Sequence, residues 1–305
     1  MIKFGKSMEA RGARVRFLYI GGFPTPQEQL ELMHVPWSGI AAACEGLDAL
    51  LCPGDLPLWQ IASEINSPCT LVAMHLHLGV HSPHDELCNI KSDRIIQATT
   101  ARWLQAEIES LGARCVLVGT GPIDEDLYEV TANRDYRIGT LAHAGYGWKN
   151  SRAVAEAYRA LKPVAPEIEL WSYGAETVRD FPGRFFLRPN LETRRLIYSS
   201  CRTWIVPSVS EGLGMTGFDA MQCRTPVISA ENRGIREYAD ETTCMLYRSS
   251  HPQELLDAIR TLLFDWQFGE QLASRALEKI SKFKWQDCID RLERLLLTRG
   301  AEVHS

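Results

Sequence analysis

Residues 201–247 read CRTWIVPSVSEGLGMTGFDAMQCRTPVISAENRGIREYADETTCMLY. A β-branched and aromatic run, 203–206, is stopped by Pro207 and predicts a buried strand. A small, polar, Gly-spaced loop follows at 208–216, then an apolar helical segment at 217–223 and a second strand at 226–230. Strand, glycine loop and helix in that order gather backbone N–H groups and a helix N-terminus at one point, which suits an anion. Gly212 and Gly214 lack a Cβ and let a ligand approach the main chain. Glu211 and Asp219 place carboxylates at the two ends of the loop, where they could accept hydroxyls of a sugar or a ribose. A lone Gly-x-Gly would be an ordinary βα turn, its glycines serving only the bend.

The spaced elements of this stretch carry more than the glycines alone. Ser210-Glu211-Gly212-Leu213-Gly214, then Asp219, Ala220-Met221, Thr225-Pro226-Val227 and Gly234-Ile235-Arg236-Glu237 stand in register. Together they resemble the donor-binding half of the GT-B glycosyltransferases of retaining family 4 (glycosyl transferases group 1). That signature has a Ser-Glu-Gly-Phe-Gly-like loop, a second acid, Ala-Met, a Thr-Pro-Val strand and a Gly-Ile-x-Glu turn. Asp219 departs from it, because the family usually has Glu there.

Composition is that of a globular chain: 305 residues, 45% hydrophobic and 23% charged, enough for two domains with separate cores. A net charge of −5 gives no global basic field for nucleic acid or acidic lipid. No apolar run reaches a membrane span, and the N-terminus lacks a long apolar signal core. Nine cysteines without a Cys-x-x-Cys pair fit reduced thiols in a cytoplasmic chain better than a disulfide framework. Strands and helices alternate throughout, which argues an α/β fold.

Taken in order, residues 1–12 predict a helix with Phe4 and Met8 on one face and Gly12 as its cap. A strand follows at 15–20, then Gly21-Gly22, then a helical turn or two at 27–33. Strands at 49–52, 69–74, 95–98 and 115–118 and helices at 56–65 and 101–111 complete the first half. Gly121-Pro122-Ile123-Asp124 resembles the Asn-Gly-Val-Asp turn at which the family's chain enters its second domain. Beyond it come strands at 136–142, 168–173 and 184–187, helices at 151–161, 192–199 and 252–264, and a last amphipathic helix at 285–297.

The resemblance implies a GT-B architecture, two Rossmann-like domains facing a cleft. Residues 1–122 are then an acceptor-side domain, 123–282 a nucleotide-sugar domain, and 283–305 a helix crossing back to the first. In the family a strand and a glycine loop precede the first helix, so the resemblance implies a first domain lacking its opening strand. The implied activity is transfer of a sugar from a nucleotide-diphosphate sugar to an acceptor hydroxyl with retention, without cofactor or metal. The acceptor, a glycan, a lipid-linked molecule or a small molecule, is not specified. The implied location is the cytoplasm, with peripheral contact at the inner face of the membrane left open. A degenerate GT-B protein that binds nucleotide or a partner without turnover is the alternative.

By the same resemblance Lys149, after a Gly-rich turn, meets the diphosphate, although its usual Arg partner is replaced by Ala144 or Tyr146. Glu211 accepts the donor sugar's hydroxyls, Gly212, Gly214, Met215 and Thr216 line the phosphates with backbone N–H groups, and Asp219 reaches the ribose. His75 follows the strand at which the family often carries a His near the transferred sugar. His75-x-His77 with His81, His84 and Asp85 could instead open a hydrolase metal site. The cluster fails His-x-His-x-Asp-His, however, because Gly79 and Val80 occupy the needed positions. On the family reading His77, His81 and His84 are loop residues.

Overall fold

The computed structural model describes residues 2–15, 17–19, 32–65, 68–79, 82–122, 125–130, 132–145 and 147–297. They fall into two compact units, residues 1–123 with 284–305 and residues 124–283. The expected Gly21-Gly22 turn, His81, Tyr146 and the Ile123-Asp124 half of the hinge lie outside the described residues.

The first unit opens with α1 (Ile2–Glu9), which buries Phe4 and Met8 and ends where Gly12 takes φ +91°. That left-handed conformation is open to glycine at no steric cost. Next come β1 (Phe17–Tyr19) and β2 (Leu32–His34), paired in parallel as a two-stranded sheet. Residues 32 and 33 are therefore strand where the sequence suggested a helical turn, and 27–31 lie outside the described residues.

After α2 (Ile40–Ala43), a parallel sheet is laid down in sequence order: β3 (Ala49–Pro53), β4 (Thr70–His75), β5 (Ile95–Thr99) and β6 (Cys115–Leu117). Its crossovers are α3 (Leu58–Glu64), α4 (Pro83–Ile90) and α5 (Arg102–Ser110). Every residue of β4 is buried. Leu71 and Ala73 face the core built on α2 and α3, while Val72 and Met74 face a second core with α1. A strand covered on both faces reads as a continuous apolar run, as this one does.

Helix α4 corrects the sequence reading, which left His84 in a loop. Its core-facing side has few apolar residues, so periodicity was faint, but Pro83 at the first position and Asp85 and Glu86 in the first turn are start signals.

The second unit begins with β7 (Arg137–Leu141), α6 (Ser151–Leu161), β8 (Glu169–Gly174), β9 (Arg184–Leu187) and α7 (Leu191–Ser200). It continues with β10 (Thr203–Val206), α8 (Met215–Gln222), β11 (Val227–Ala230), β12 (Met245–Tyr247), α9 (Pro252–Phe264) and α10 (Trp266–Ile280). The six-stranded sheet runs β12-β11-β10-β7-β8-β9 and every pair is parallel. Read outward from β7 this is a doubly wound sheet, whose order reverses between β7 and β10. Alternation along β10 sends Trp204 and Val206 into one core with α7 and α8, and Ile205 into the other with α6 and α9. Trp204, Tyr198 and Phe218 are fully buried, each worth about 1.5–3 kcal/mol or more relative to exposure.

The last helix, α11 (Trp285–Leu297), belongs to the first unit, where Trp285, Ile289, Leu292 and Leu295 join the core that holds Phe4 and Met8. Trp285 lies 4.7 Å from the Phe4 ring, and its indole N–H donates to Ser7 at 3.0 Å. Arg11 of the first unit's opening segment pairs with both Asp290 and Glu293.

Candidate functional site

In a doubly wound sheet the loops leaving the strands on either side of the order reversal diverge, and a crevice opens between them. Here those loops are 142–150 after β7 and 207–214 after β10. They are tied together by a main-chain bond in which Val209 N–H donates to Trp148 O at 2.9 Å. The first loop ends in a short 3-10 turn, Gly147–Lys149, and Asn150 enters α6 with φ +50°.

Lys149 Nζ lies 2.6 Å from Glu211 Oε1, and the two side chains are only 16% and 9% exposed. The ammonium also sits 4.2 Å from the centre of the Trp148 ring. The sequence-expected cation and carboxylate are thus brought into one ion pair, 62 residues apart in the chain.

A third element supports the Glu211 loop from beneath. Asn232 donates to Ser208 O at 2.9 Å and accepts from Ile235 N–H at 3.0 Å. Gly234 then passes so close that a Cβ there would stand 2.6 Å from Glu211 O. Tyr238 donates its hydroxyl to Gly214 O at 2.6 Å. Its phenol is held well above the ordinary pKa by complete burial, then by Cys244 and by the carboxylates of Glu211 and Asp219. The Gly234-Ile235-Arg236-Glu237 turn therefore acts as the floor on which the acidic loop rests.

Gly214 caps α8 with φ +72°, a conformation that side-chain-bearing residues rarely adopt. The helix starts at Met215, two residues before the sequence-expected start at 217. Met215 and Thr216 are consequently first-turn residues, whose N–H groups have no intrahelical acceptor. Asp219 sits one turn on, 7% exposed, and its charge bears on Tyr198, Tyr238 and Cys223.

His75 is placed elsewhere. It is the last residue of β4, not the residue after the strand, it lies in the first unit, and it is 1% exposed. Gln97 Nε2 donates to Asn89 O and Ile95 O, both at 2.8 Å, which leaves Gln97 Oε1 to accept from His75 Nε2 at 2.8 Å. The proton is thereby assigned to Nε2, and Nδ1 packs against Gly54 with no hydrogen-bond partner among the described residues. Burial pushes the imidazole pKa down. Two other members of the cluster are engaged locally: His84 Nε2 lies 3.7 Å from Cys88 Sγ, and Asp85 accepts from Ser82 and from the Trp59 indole. Among the described residues no group of three or more His, Cys, Asp or Glu is placed to hold a metal ion.

The family match falls within the second unit. Residues 135–265 match the model for glycosyl transferases group 1. The second unit carries a glycosyl transferases group 1 domain.

An uncharacterized glycosyltransferase of Methanocaldococcus jannaschii is 31% identical over 211 residues, 65% of this chain and 57% of that protein. This chain thus spans little more than half the length of that curated relative. Sucrose-phosphate synthase from Thermosynechococcus elongatus superposes with a TM-score of 0.78 at 17% identity, over 99% of this chain and 92% of the other. Anabaena HepE, crystallised with UDP and glucose, gives 0.71 at 16% identity, over 85% and 80%. These likenesses show the fold, which is GT-B.

Within the group 1 domain lie Lys149, Glu211, Gly212, Gly214, Met215, Thr216 and Asp219; His75 lies outside it. Two residues of the group 1 domain escaped the sequence reading: Asn232 and Tyr238. Nothing in their local pattern marks them, since each gains its meaning from a partner on a different loop. His143 stands just after β7, its N–H bonded to Ser151 Oγ at 3.0 Å. Its pKa is lowered by burial first and by Lys149 second, with Glu211 and Glu176 opposing. No helix among the described residues is long and apolar enough to cross a membrane.

Proposed function

We propose that this chain is a retaining glycosyltransferase of family 4 that moves a sugar from a nucleoside-diphosphate sugar to an acceptor hydroxyl. The observation that carries the proposal is the Lys149–Glu211 pair at the order reversal of the group 1 domain, beside the N-terminus of α8. A diphosphate suits that place because a cation and a helix N-terminus both favour negative charge. Lys149 turns from Glu211 to the diphosphate when donor enters, and the α8 first turn at Met215 and Thr216 donates to phosphate oxygens. Glu211, released, accepts the sugar's hydroxyls, and Asp219 holds the ribose. Charge that develops on the leaving diphosphate is met by groups already in position.

The structural relative crystallised with UDP and glucose supports a nucleotide-sugar donor. On this reading the second unit takes the donor, the first serves the acceptor, and no metal or cofactor takes part. The acceptor is a glycan, a lipid-linked molecule or a small molecule, and the protein works in the cytoplasm.

The test is thermal melting of the protein with UDP, GDP and ADP, followed by incubation with the corresponding sugars. One nucleoside diphosphate should raise Tm, and its sugar should be turned over, slowly to water and faster with acceptor. No shift with any nucleotide sinks the reading. Binding without turnover of any sugar reduces the protein to a nucleotide-binding relative.

A further inference from the structure

We infer that Trp148 is the positioning residue of the site's cation: its indole face holds the Lys149 ammonium at the donor site and keeps it there when Glu211 lets go. The inference rests on the proposed donor site and adds the group that aims its lysine.

Lys149 is the only lysine or arginine in the two loops, 142–150 and 207–214. Its ammonium stands 4.2 Å from the centre of the Trp148 ring and 2.6 Å from Glu211 Oε1. Adjacency in the chain does not by itself produce the first contact. The turn Gly147–Lys149 is 3-10, and in such a turn successive side chains leave about a third of a circle apart. The lysine stem has to bend back to reach the ring. The Trp148 backbone is fixed separately, since its carbonyl accepts the Val209 N–H at 2.9 Å. The half-buried indole is thus carried on a main chain tied to the Glu211 loop, and its face meets the cation.

The two contacts of the ammonium differ in kind. Glu211 accepts a hydrogen bond at one oxygen, so that contact is directional and ends when the carboxylate turns to the sugar. A ring face attracts charge through its quadrupole and occupies no N–H along a fixed line. An ammonium carries three rotatable donors, so it can give one to a phosphate oxygen and stay over the ring. Without the ring, a lysine released by Glu211 regains the freedom of its four-carbon stem, and holding a diphosphate has to remove that freedom again. Trp148 therefore acts on donor affinity through Lys149 alone.

Calorimetry of the full chain with UDP, GDP and ADP reads the effect. For the nucleotide that binds, Trp148→Leu, which keeps the main-chain bond to Val209, should weaken binding about three- to thirtyfold, the range of such a contact at a partly buried site. Trp148→Phe, with a ring of weaker pull, should fall between. On a Lys149→Met background the leucine change should have no further effect, because no charge is left to hold. NMR of lysine-labelled protein should show the Lys149 ε-protons moved upfield by the indole, both in the empty site and with nucleotide bound, and restored in Trp148→Leu. Should the leucine variant not fold, the phenylalanine step and the ε-proton shift of the unmodified protein decide. Full affinity in Trp148→Leu or Trp148→Phe, an equal loss on Lys149→Met, or unshifted ε-protons overturns the inference and leaves the donor site standing. Failure of all three nucleotides to bind removes both.

Discussion

Lys149 Nζ and Glu211 Oε1 meet at 2.6 Å although their loops leave different strands, β7 and β10. The pair is mostly withdrawn from solvent, so its partners feel each other strongly and a ligand must part them to use either. That relationship separates binding from chemistry in the variants. A charged hydrogen bond is worth about 1.5–3 kcal/mol, or roughly ten- to hundredfold in affinity. Lys149→Ala should weaken nucleoside diphosphate binding by that factor. Glu211→Gln frees Lys149 and should leave nucleotide affinity unchanged or tighter while transfer collapses. Calorimetry with the nucleotide and a coupled transfer assay distinguish them, and equal loss of both properties in Glu211→Gln would make Glu211 a loop-folding residue.

Gly234 offers a cleaner probe of the loop's support. Its backbone is ordinary right-handed helical, so conformational freedom is not what it supplies. What it supplies is room, since an added Cβ would meet Glu211 O at 2.6 Å and Glu211 C at 2.9 Å. Main-chain atoms cannot swing away as a side chain can. Gly234→Ala should therefore displace Glu211, costing about 1–3 kcal/mol of stability and most of the transfer rate. Normal turnover with a normal melting curve would show that the loop does not depend on this contact.

Stability of the first unit should depend on pH through His75. Burial lowers its folded-state pKa, against the opposing effects of Gln97 and Asp55. The native chain then binds fewer protons than the unfolded chain below about pH 6.5, the ordinary imidazole value. The contribution is fully present above that value and is lost as pH falls from it toward the folded-state pKa. Urea melts of the protein and of His75→Gln, compared at about pH 8 and pH 5.5, should show the larger acid-side loss in the unmodified protein. Parallel losses would mean that the imidazole is not held neutral.

The last helix is a structural part of the first unit. Trp285 is 8% exposed, packs on Phe4 and carries Lys3 at 4.5 Å from its ring. Trp285→Ala should destabilise that unit by about 3–5 kcal/mol. The second unit, whose core contains none of α11, should melt as before, so hydrogen exchange should rise in β4 and β5 and stay unchanged in β10 and β11. A uniform rise through both units would contradict the division.

Thiol chemistry reports the same packing. Of the free cysteines Cys88 is half-buried and the others are buried. Burial pushes the thiols of Cys52, Cys115, Cys201 and Cys223 up to about 12, leaving little thiolate at neutral pH. A disulfide reagent should modify a single thiol quickly in the native protein, and all nine after denaturation. Rapid modification of several in the native state would mean an open core.

Much of the fold was legible because it follows from local rules. Val72 beside Ala73 and Met74, or Trp204 beside Ile205 and Val206, announce strands covered on both faces, and β-branched runs stopped by Pro or Gly mark their ends. The acidic glycine loop and the Thr225-Pro226-Val227 strand were readable for the same reason, as each is a short motif with its own spacing, whereas Lys149 stood out only through the family resemblance. Helices α4 and α10 were missed, the first for want of apolar residues. The second had its signal in Asp265, which accepts from Phe268 N–H at 2.9 Å as a cap.

Only tertiary structure could decide which of these pieces meet. The sequence determined that residues 201–247 form strand, glycine loop, helix and strand, because periodicity and turn chemistry act over a few residues. It could not show that β7 and β10 are neighbours, since pairing is settled by how the sheet winds and not by either strand alone. From that adjacency follows the Lys149–Glu211 pair, and from the pairing of β10 with β11 the footing of the loop on Gly234 and Tyr238. His75, by contrast, looked like a site residue in its local motif, yet packing turned it inward onto Gln97, where desolvation keeps it neutral. Charge and burial at a point are sums over segments distant in the chain, and the folded sheet is what performs the sum.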